Sequence, residues 1–319
     1  MSRQVAIISP CFNEQGSIRE FLELLKSNLA SVADTKFHVV LVDDGSQDET
    51  VHVASSFDFQ LDHITFHLLT LQHNVGHQKA IYQGLLYAES LPADYFIVMD
   101  ADGEDDPAII PALISETEAD IVFVTRGKRQ EGLLFRIGYF FYGLTFRLII
   151  NKKINFGNFS MIRRNVLTSV LNRSFIHYSA SLSKLRFKKK FIRADRKKRL
   201  QGESKMSYNG LVLHGLKAFV EYADDMLIFF LKMFSLLFIF FIGLGINILY
   251  QKFVTHMAIL GWASVLLSVL FNAMLIILCF FLMGVLLLNI HDRSSFQRTA
   301  LYTTVTKASK SKPSGSDGT

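Results

Sequence analysis

Asp100-Ala101-Asp102-Gly103-Glu104-Asp105-Asp106-Pro107 places five carboxylates within seven residues, directly after the apolar run Phe96-Ile97-Val98-Met99. Carboxylates this crowded repel one another and are tolerated where water solvates them or a cation neutralises them. Two readings are open. One is a solvated acidic loop capping the next helix, with Pro107 in its first turn. The other is a set of oxygen ligands for a divalent cation. An apolar run that ends so abruptly reads as a buried strand opening into a loop, and open α/β sheets bind ligands at that end of their strands.

The elements before it have the same construction. Strand-like runs over residues 5–9, 37–43 and 67–72 end in Asn13-Glu14, in Asp43-Asp44-Gly45-Ser46 and in His73-Asn74-Val75-Gly76. Helical periodicity covers residues 17–32, with Ser17 and Glu20 spaced as a capping box. Asp48 is placed to cap a helix reaching about Phe57, and residues 76–90 form a third helix. Strands over 95–100 and 121–125 complete the pattern. Repeated βα units predict a parallel, doubly wound sheet with helices on its faces. The four polar clusters then meet on one sheet edge. Neither Gly-x-Gly-x-x-Gly nor a Walker-type loop follows a strand, which argues against dinucleotide oxidoreductases and P-loop ATPases.

The chain has 319 residues, 50% of them hydrophobic, and its mean hydropathy is positive. The excess lies in residues 226–250 and 257–290. Each is long enough to cross a hydrocarbon layer of roughly 30 Å at about 1.5 Å per residue, and neither shows the polar face of a globular helix. Only Gln251 to His256 separates them, so they form a hairpin. Ten Lys or Arg among the sixteen residues 184–199, and Arg293, Arg298, Lys307, Lys310 and Lys312 after the second span, place both flanks in the cytoplasm by the positive-inside rule. A bacterial inner membrane fits better than the endoplasmic reticulum. The polar Met1-Ser2-Arg3-Gln4 start shows no cleavable signal. Cys11 and Cys279 are not positioned to pair, and no Cys/His metal spacing is present. The formal charge is +6, but the basic residues sit beside the spans, which argues against nucleic acid.

Pro10-Cys11-Phe12-Asn13-Glu14, Val42-Asp43-Asp44-Gly45-Ser46, Asn74-Val75-Gly76-His77-Gln78-Lys79-Ala80 with Gly84, and Asp100-Ala101-Asp102 resemble the ordered motifs of family 2 glycosyltransferases. Arg196-Lys197-Lys198-Arg199-Leu200-Gln201-Gly202-Glu203-Ser204-Lys205 resembles a segment of their polyprenyl-phosphate sugar transferase branch, that of dolichyl-phosphate mannose synthase and the bactoprenol glucosyltransferases. The resemblance covers about residues 4–290. It implies an α/β fold: a GT-A (Rossmann-like) catalytic domain, then interfacial amphipathic helices and a two-helix transmembrane hairpin. The expected organisation is a catalytic domain over 1–208, with an interfacial helix at 133–150 and a basic membrane-facing or active-site loop at 184–205. A juxtamembrane amphipathic helix at 209–225 follows, then spans at 226–250 and 257–290, and a basic, disordered tail at 291–319.

The resemblance also implies roles. Pro10, Phe12 and Glu14 line the nucleotide pocket, Asp43 and Asp44 lie near the base and ribose, and Gly76, Asp100 and Ala101 help hold the UDP- or GDP-sugar. Asp102 and Glu104 are the metal ligands, for Mg²⁺ or Mn²⁺ on the diphosphate. Gly103-Glu104 departs from the Leu-Gln common in the family, although Glu104 still offers an oxygen. Arg126 and Arg136 match the acceptor-phosphate region, and Arg199 and Lys205 close over the donor phosphates. Asp105 is the candidate base, with Asp102 and Arg126 the other catalytic candidates. Asn158 stands where relatives often have Asp.

The acceptor implied is polyprenyl phosphate, undecaprenyl or dolichyl, in a lipid bilayer, and a two-span anchor is suited to homo-oligomers. The alternatives are another lipid acceptor such as diacylglycerol or ceramide, and a non-catalytic membrane scaffold. A processive synthase should carry a Gln-x-x-Arg-Trp segment, whereas the sole Trp is Trp262, inside a span. Arg126 with Lys128-Arg129 can also be read as a solvated turn. The first half of the 184–199 run can be a surface for anionic headgroups. Residues 133–150 can be a third span, although two Arg there are costly in a bilayer centre. His73 and His77 read as pocket or surface residues.

Overall fold

The computed structural model describes residues 3–126, 156–172, 175–194, 197, 200, 220–256, 261–294 and 299–308. They fall into two units. A sheet unit comprises Met1–Gln130, Ile154–Glu221 and Phe296–Thr319, and a helical unit comprises Glu131–Lys153 and Tyr222–Ser295.

In the sheet unit, β1 (Arg3–Cys11), β2 (Thr35–Asp43), β3 (Ile64–Leu71) and β4 (Tyr95–Val98) pair in parallel, with β1 between β2 and β4. The helices between them are α1 (Ile18–Ala30), α2 (Thr50–Ser56) and α3 (His77–Ala88). Successive β1 side chains serve opposite faces, as the two-residue strand period requires. Val5 and Ile7 pack with α1 and α4 (Ile110–Ser115), while Ala6 and Ile8 pack with α3, α5 (Arg164–Leu171) and α6 (Tyr178–Lys184). The α3 helix comes close to the sheet at Gly84, where a Cβ would lie 2.5 Å from Ile8 Cγ2 and 2.8 Å from Val42 Cγ2. That close approach accounts for the glycine in this motif.

The sheet is mixed, not wholly parallel as expected. Its order is β7-β5-β6-β4-β1-β2-β3-β8. The strand β6 (Phe156–Arg163) runs antiparallel between β4 and β5 (Ile121–Arg126). Composition carries no sign of strand direction, because a central strand is covered on both faces either way: Met161 joins one core and Ile162 the other. Part of the expected 184–205 loop is strand β7 (Lys189–Ala194), parallel to β5. Phe191 stacks on Phe123 with ring centroids 5.5 Å apart. The lysines of this edge strand discourage pairing with another chain.

The tail expected to be disordered supplies β8 (Tyr302–Ala308), antiparallel to β3. Its Thr-Thr-Val-Thr run favours a strand and covers backbone groups that β3 would otherwise leave open. Buried Gln83 fixes the approach: its Nε2 donates to Thr299 O at 3.0 Å, and its Oε1 accepts from Leu301 N at 3.1 Å. Smaller differences concern helix ends. Ser17 precedes α1 but does not cap it; its Oγ donates to Glu14 Oε2 at 2.6 Å. The N-cap of α2 is Glu49, without a side-chain cap bond; Asp48, one residue earlier, accepts from Thr50 N through Oδ1 at 3.0 Å.

The helical unit holds α7 (Ala223–Tyr250) and α8 (Trp262–Ser294). A π-helical turn, Gln251–Thr255, extends α7 through most of the expected loop. Residues 257–260 and 133–150, and most of 209–225, lie outside the described residues. Phe230 stacks on Phe280 and Phe241 meets Phe271, yet most apolar side chains of both helices face outward. The apolar windows of Ala223–Thr255 and Ala263–Leu287 are 0% and 6% buried. Soluble core helices would have these side chains inside, so the pair is a candidate transmembrane hairpin.

Gln83→Ala should leave two backbone groups of the tail without their partner and cost about 1–3 kcal/mol, read as a lower thermal unfolding midpoint in detergent. An unchanged midpoint would show that the tail adds no stability. A second expectation concerns buried His67 and half-buried His38, whose Nε2 and Nδ1 lie 3.2 Å apart, with Tyr87 OH 2.9 Å from His67 Nδ1. Burial, then the charge of His38, lowers His67 from 6.5 to about 4. The unfolded chain therefore takes up this proton more readily. The stability is present above about pH 6.5 and lost as pH falls towards 4. Thermal midpoints from pH 7.5 to 5 should fall, and His67→Gln should flatten the slope.

Candidate functional site

The C-terminal ends of β2, β1 and β4 lie side by side, with Cys11 paired to Asp43 and Ile8 to Val98. Pro10, Asp43 and Asp100 are thus delivered to one edge by strand register alone. Backbone and side chain together stitch the first two loops. Asn13 N donates to Ser46 Oγ at 2.8 Å, Asn13 Oδ1 accepts from Gln47 N at 2.9 Å, and Glu14 N donates to Thr50 Oγ1 at 2.8 Å. The left-handed φ of 52° at Asn13 makes this turn possible. Phe12 remains 37% exposed at the edge.

The two carboxylates expected near base and ribose have different tasks. Asp44 is buried, and its oxygens accept from Val75 N at 2.7 Å and Gly76 N at 3.0 Å. It organises the turn that leads into α3. Asp43 is fully buried; its Oδ2 accepts from Ser46 N at 3.1 Å, while its Oδ1 has no hydrogen-bond partner among the described residues. Burial raises the pKa of both. An orphaned, buried carboxylate oxygen is costly, and a ligand N–H or O–H would satisfy it. Burial, together with the charge of Asp43, also pushes the Cys11 thiol well up.

The acidic stretch alternates. Asp100, Asp102, Glu104 and Asp106 are half-buried, whereas Ala101, Gly103, Asp105 and Pro107 are buried. Repulsion is relieved by backbone N–H partners for Asp105, Asp102 and Asp106. Asp105 Oδ2 accepts from Asp100 N at 3.0 Å, closing the turn from within. Asp102 Oδ1 accepts from Glu104 N at 3.0 Å. Asp106 caps the following 3₁₀ turn, Pro107–Ile109, through Ala108 N and pairs with Lys197 Nζ at 2.9 Å.

His77, at the start of α3, places Nε2 3.2 Å from Asp100 Oδ1 and 3.0 Å from Asn158 Nδ2. Burial lowers its pKa, but the charge and hydrogen bond of Asp100 outweigh this and the net shift is upward. Residue type and spacing offer no reason to join His77 to Asp100, because the link is made by the fold.

The basic segment meets this turn directly. Leu200 N donates to Asp102 O and Lys197 N to Glu104 O, each at 3.2 Å. Gly103, at φ 80°, lies against the Leu200 side chain, which occupies the space a Cβ would need. The departure from Leu-Gln at 103–104 therefore has a structural reason: a side chain at 103 would displace Leu200. Arg126 ends β5 opposite Ala194. Arg136, Arg199 and Lys205 lie outside the described residues.

Among the described residues no group of three His, Cys, Asp or Glu side chains forms a metal cage. Asp102 and Glu104 are a pair of hard oxygen donors on the half-buried side of the turn. Two carboxylates fit a divalent cation that takes its remaining ligands from substrate phosphates and water, not one held by protein alone.

The model of glycosyl transferase family 2 matches residues 6–171. The Bacillus subtilis (strain 168) uncharacterized glycosyltransferase YkcC is 26% identical over 307 residues, 92% of each chain. The undecaprenyl-phosphate 4-deoxy-4-formamido-L-arabinose transferase of Pseudomonas fluorescens (strain Pf0-1) is 33% identical over 134 residues, 41% of this chain and 38% of that protein. Among solved structures, mannosyl-3-phosphoglycerate synthase from Rubrobacter xylanophilus aligns with a TM-score of 0.51 at 14% identity, over 70% of this chain and 74% of that one. That last likeness is one of fold, the GT-A-like mixed α/β sheet.

Gly103→Ala should force Leu200 away from the acidic turn, at a cost of about 1–3 kcal/mol for a strained residue. Limited trypsin digestion should then cut faster within residues 196–199. An unchanged cleavage rate would mean that the Gly103 contact does not hold this segment.

Proposed function

Since this chain belongs to glycosyl transferase family 2, we propose that it transfers a hexose or related sugar from a UDP- or GDP-sugar to the phosphate of a membrane polyprenol, with inversion at the sugar. The observation that carries the reading is the acidic turn. Asp100, Asp102 and Glu104 lie half-buried at the strand edge where Asp43 holds an orphaned oxygen.

Phe12 lines the nucleotide pocket in this reading, and Asp43 Oδ1 accepts from a base N–H or a ribose hydroxyl. Asp102 and Glu104 would hold Mg²⁺ or Mn²⁺, which when bound offsets the negative charge developing on the leaving diphosphate. The bond between sugar C1 and the diphosphate oxygen breaks, its electron pair leaving with the diphosphate. An oxygen of the lipid phosphate bonds to C1 from the opposite face. A phosphomonoester carries roughly −1.5 to −2 charges near neutral pH, so this oxygen is already a nucleophile. Asp105, buried and bonded to Asp100 N, accordingly serves better as a brace for the turn than as a base. Cations near the acceptor, Arg126 and Arg136 with Arg199 and Lys205 on the donor side, would offset repulsion between the two phosphorylated substrates.

Two outward-facing apolar helices support a membrane acceptor. The sheet unit contains chain from before α7 and from after α8, which supports an even number of crossings with both flanks on one side. The basic flanks favour the cytoplasm.

Purified protein with Mg²⁺ or Mn²⁺, undecaprenyl phosphate and a panel of UDP- and GDP-sugars should yield a lipid-extractable sugar phosphate from at least one donor. No transfer and no nucleotide release from any of them would overturn the reading. Asp102→Asn should lower that activity by about 10²-fold or more, and activity with intact metal dependence in the variant would move the metal elsewhere.

A further inference from the structure

Beyond the turn, on the far side of β4, two buried amides are incompletely used. Antiparallel pairing matches Val98 with Ser160, and two residues further on Asn158 comes beside Asp100. Asn158 is 7% exposed and Gln78 8%. Gln78 Oε1 accepts from Tyr178 N at 2.6 Å. That bond fixes the amide's orientation, because a flipped Nε2 could not accept. Gln78 Nε2 is then left with two N–H donors and no partner among the described residues.

Asn158 can be oriented by the same logic. Its amide meets His77 Nε2 at 3.0 Å, and that nitrogen also faces Asp100 Oδ1 at 3.2 Å. A carboxylate only accepts, so His77 Nε2 carries the proton. Asn158 therefore presents its oxygen to His77, and its NH₂ takes the buried position that is left without a partner. From behind, Ser160 Oγ bonds to Asn158 O at 3.0 Å and to Tyr178 OH at 3.2 Å. The two amides thus belong to one hydrogen-bonded frame running from α3 through Tyr178 and β6 back to Asp100.

Strand order supplies the ligand. Along the edge the sheet runs β2, β1, β4, β6. On the function proposed above, β2 and β1 take the nucleoside and the turn after β4 takes the diphosphate. A nucleotide sugar is linear in the same sense, so the group that reaches β6 is the sugar. We propose that the NH₂ groups of Gln78 and Asn158 select the transferred sugar by donating hydrogen bonds to its oxygens, with His77 as the positioning residue that aims Asn158. The sugar class is one with hydroxyl or carbonyl oxygens on the side turned away from the diphosphate. A deoxy sugar there would leave buried donors unpaired, which sites of this kind reject strongly.

This inference rests on the proposed transfer reaction, and the two can fail separately. With the donor found in the panel, singly deoxygenated versions of its sugar should be tested on the unmodified protein. At least one hydroxyl should be worth about 10²-fold or more in kcat/KM. Asn158→Leu and Gln78→Leu should reduce that ratio to within about tenfold while leaving the affinity for free nucleotide diphosphate unchanged. His77→Gln, which can still donate to Asp100, should keep more of the selectivity than His77→Ala. If transfer occurs but no single hydroxyl matters in the unmodified protein, the subsite is wrong although the function stands. A selectivity unchanged in both leucine variants has the same meaning. Absence of any transfer strikes the function itself.

Discussion

Five carboxylates in seven residues must be held at the mouth of a sheet without driving it apart. At about 4 Å, two like charges cost about 1 kcal/mol in water and about 4 kcal/mol near a protein surface. The turn after β4 meets this by alternation. Asp105 turns inward to Asp100 N, while Asp102 and Asp106 stay half-buried and accept from Glu104 N and Ala108 N. Such an arrangement needs β4 to be short, central and rigid, and it is paired on both sides, by β1 and β6. Lys197 and His77 bring opposite charge or a donor to Asp106 and Asp100. The residual repulsion is what a bound cation would relieve.

A second constraint is the sheet's two edges. On one side β7 carries lysines, with Lys190 paired to Glu116. On the other, β8 covers β3 and is anchored by Gln83. Because β8 follows the second apolar helix in sequence, the same strand that finishes the sheet returns the chain to it. The chain thus leaves the sheet unit before the first apolar helix and rejoins it after the second.

Much was legible from residue type and spacing. Alternation of apolar runs with helical periods gave the first four strands, and the polar clusters at their ends follow from strand register. Asp106 as a cap needed only its place before Pro107. The two long apolar segments were equally plain, since no amphipathic face interrupts them. Direction and partnership were not legible. The strand β6 looks the same in either direction, the Lys-rich β7 resembles a surface loop, and β8 lies in a basic tail whose strand character depends on β3 being there to receive it.

The sequence alone placed an acidic turn able to hold a divalent cation after the fourth strand-like run, two apolar segments long enough to span a membrane further on, and ordered motifs resembling those of glycosyl transferase family 2. These properties reside in local composition and chain order. Only the tertiary structure decided which acid does what. Asp105 turns inward to Asp100 N, Asp44 to the turn before α3, and Asp43 keeps an oxygen in reserve. It also brought His77, Gln78 and Asn158 into one frame, because residues about 80 and 100 apart meet only when α3 lies over the sheet and β6 returns antiparallel beside β4.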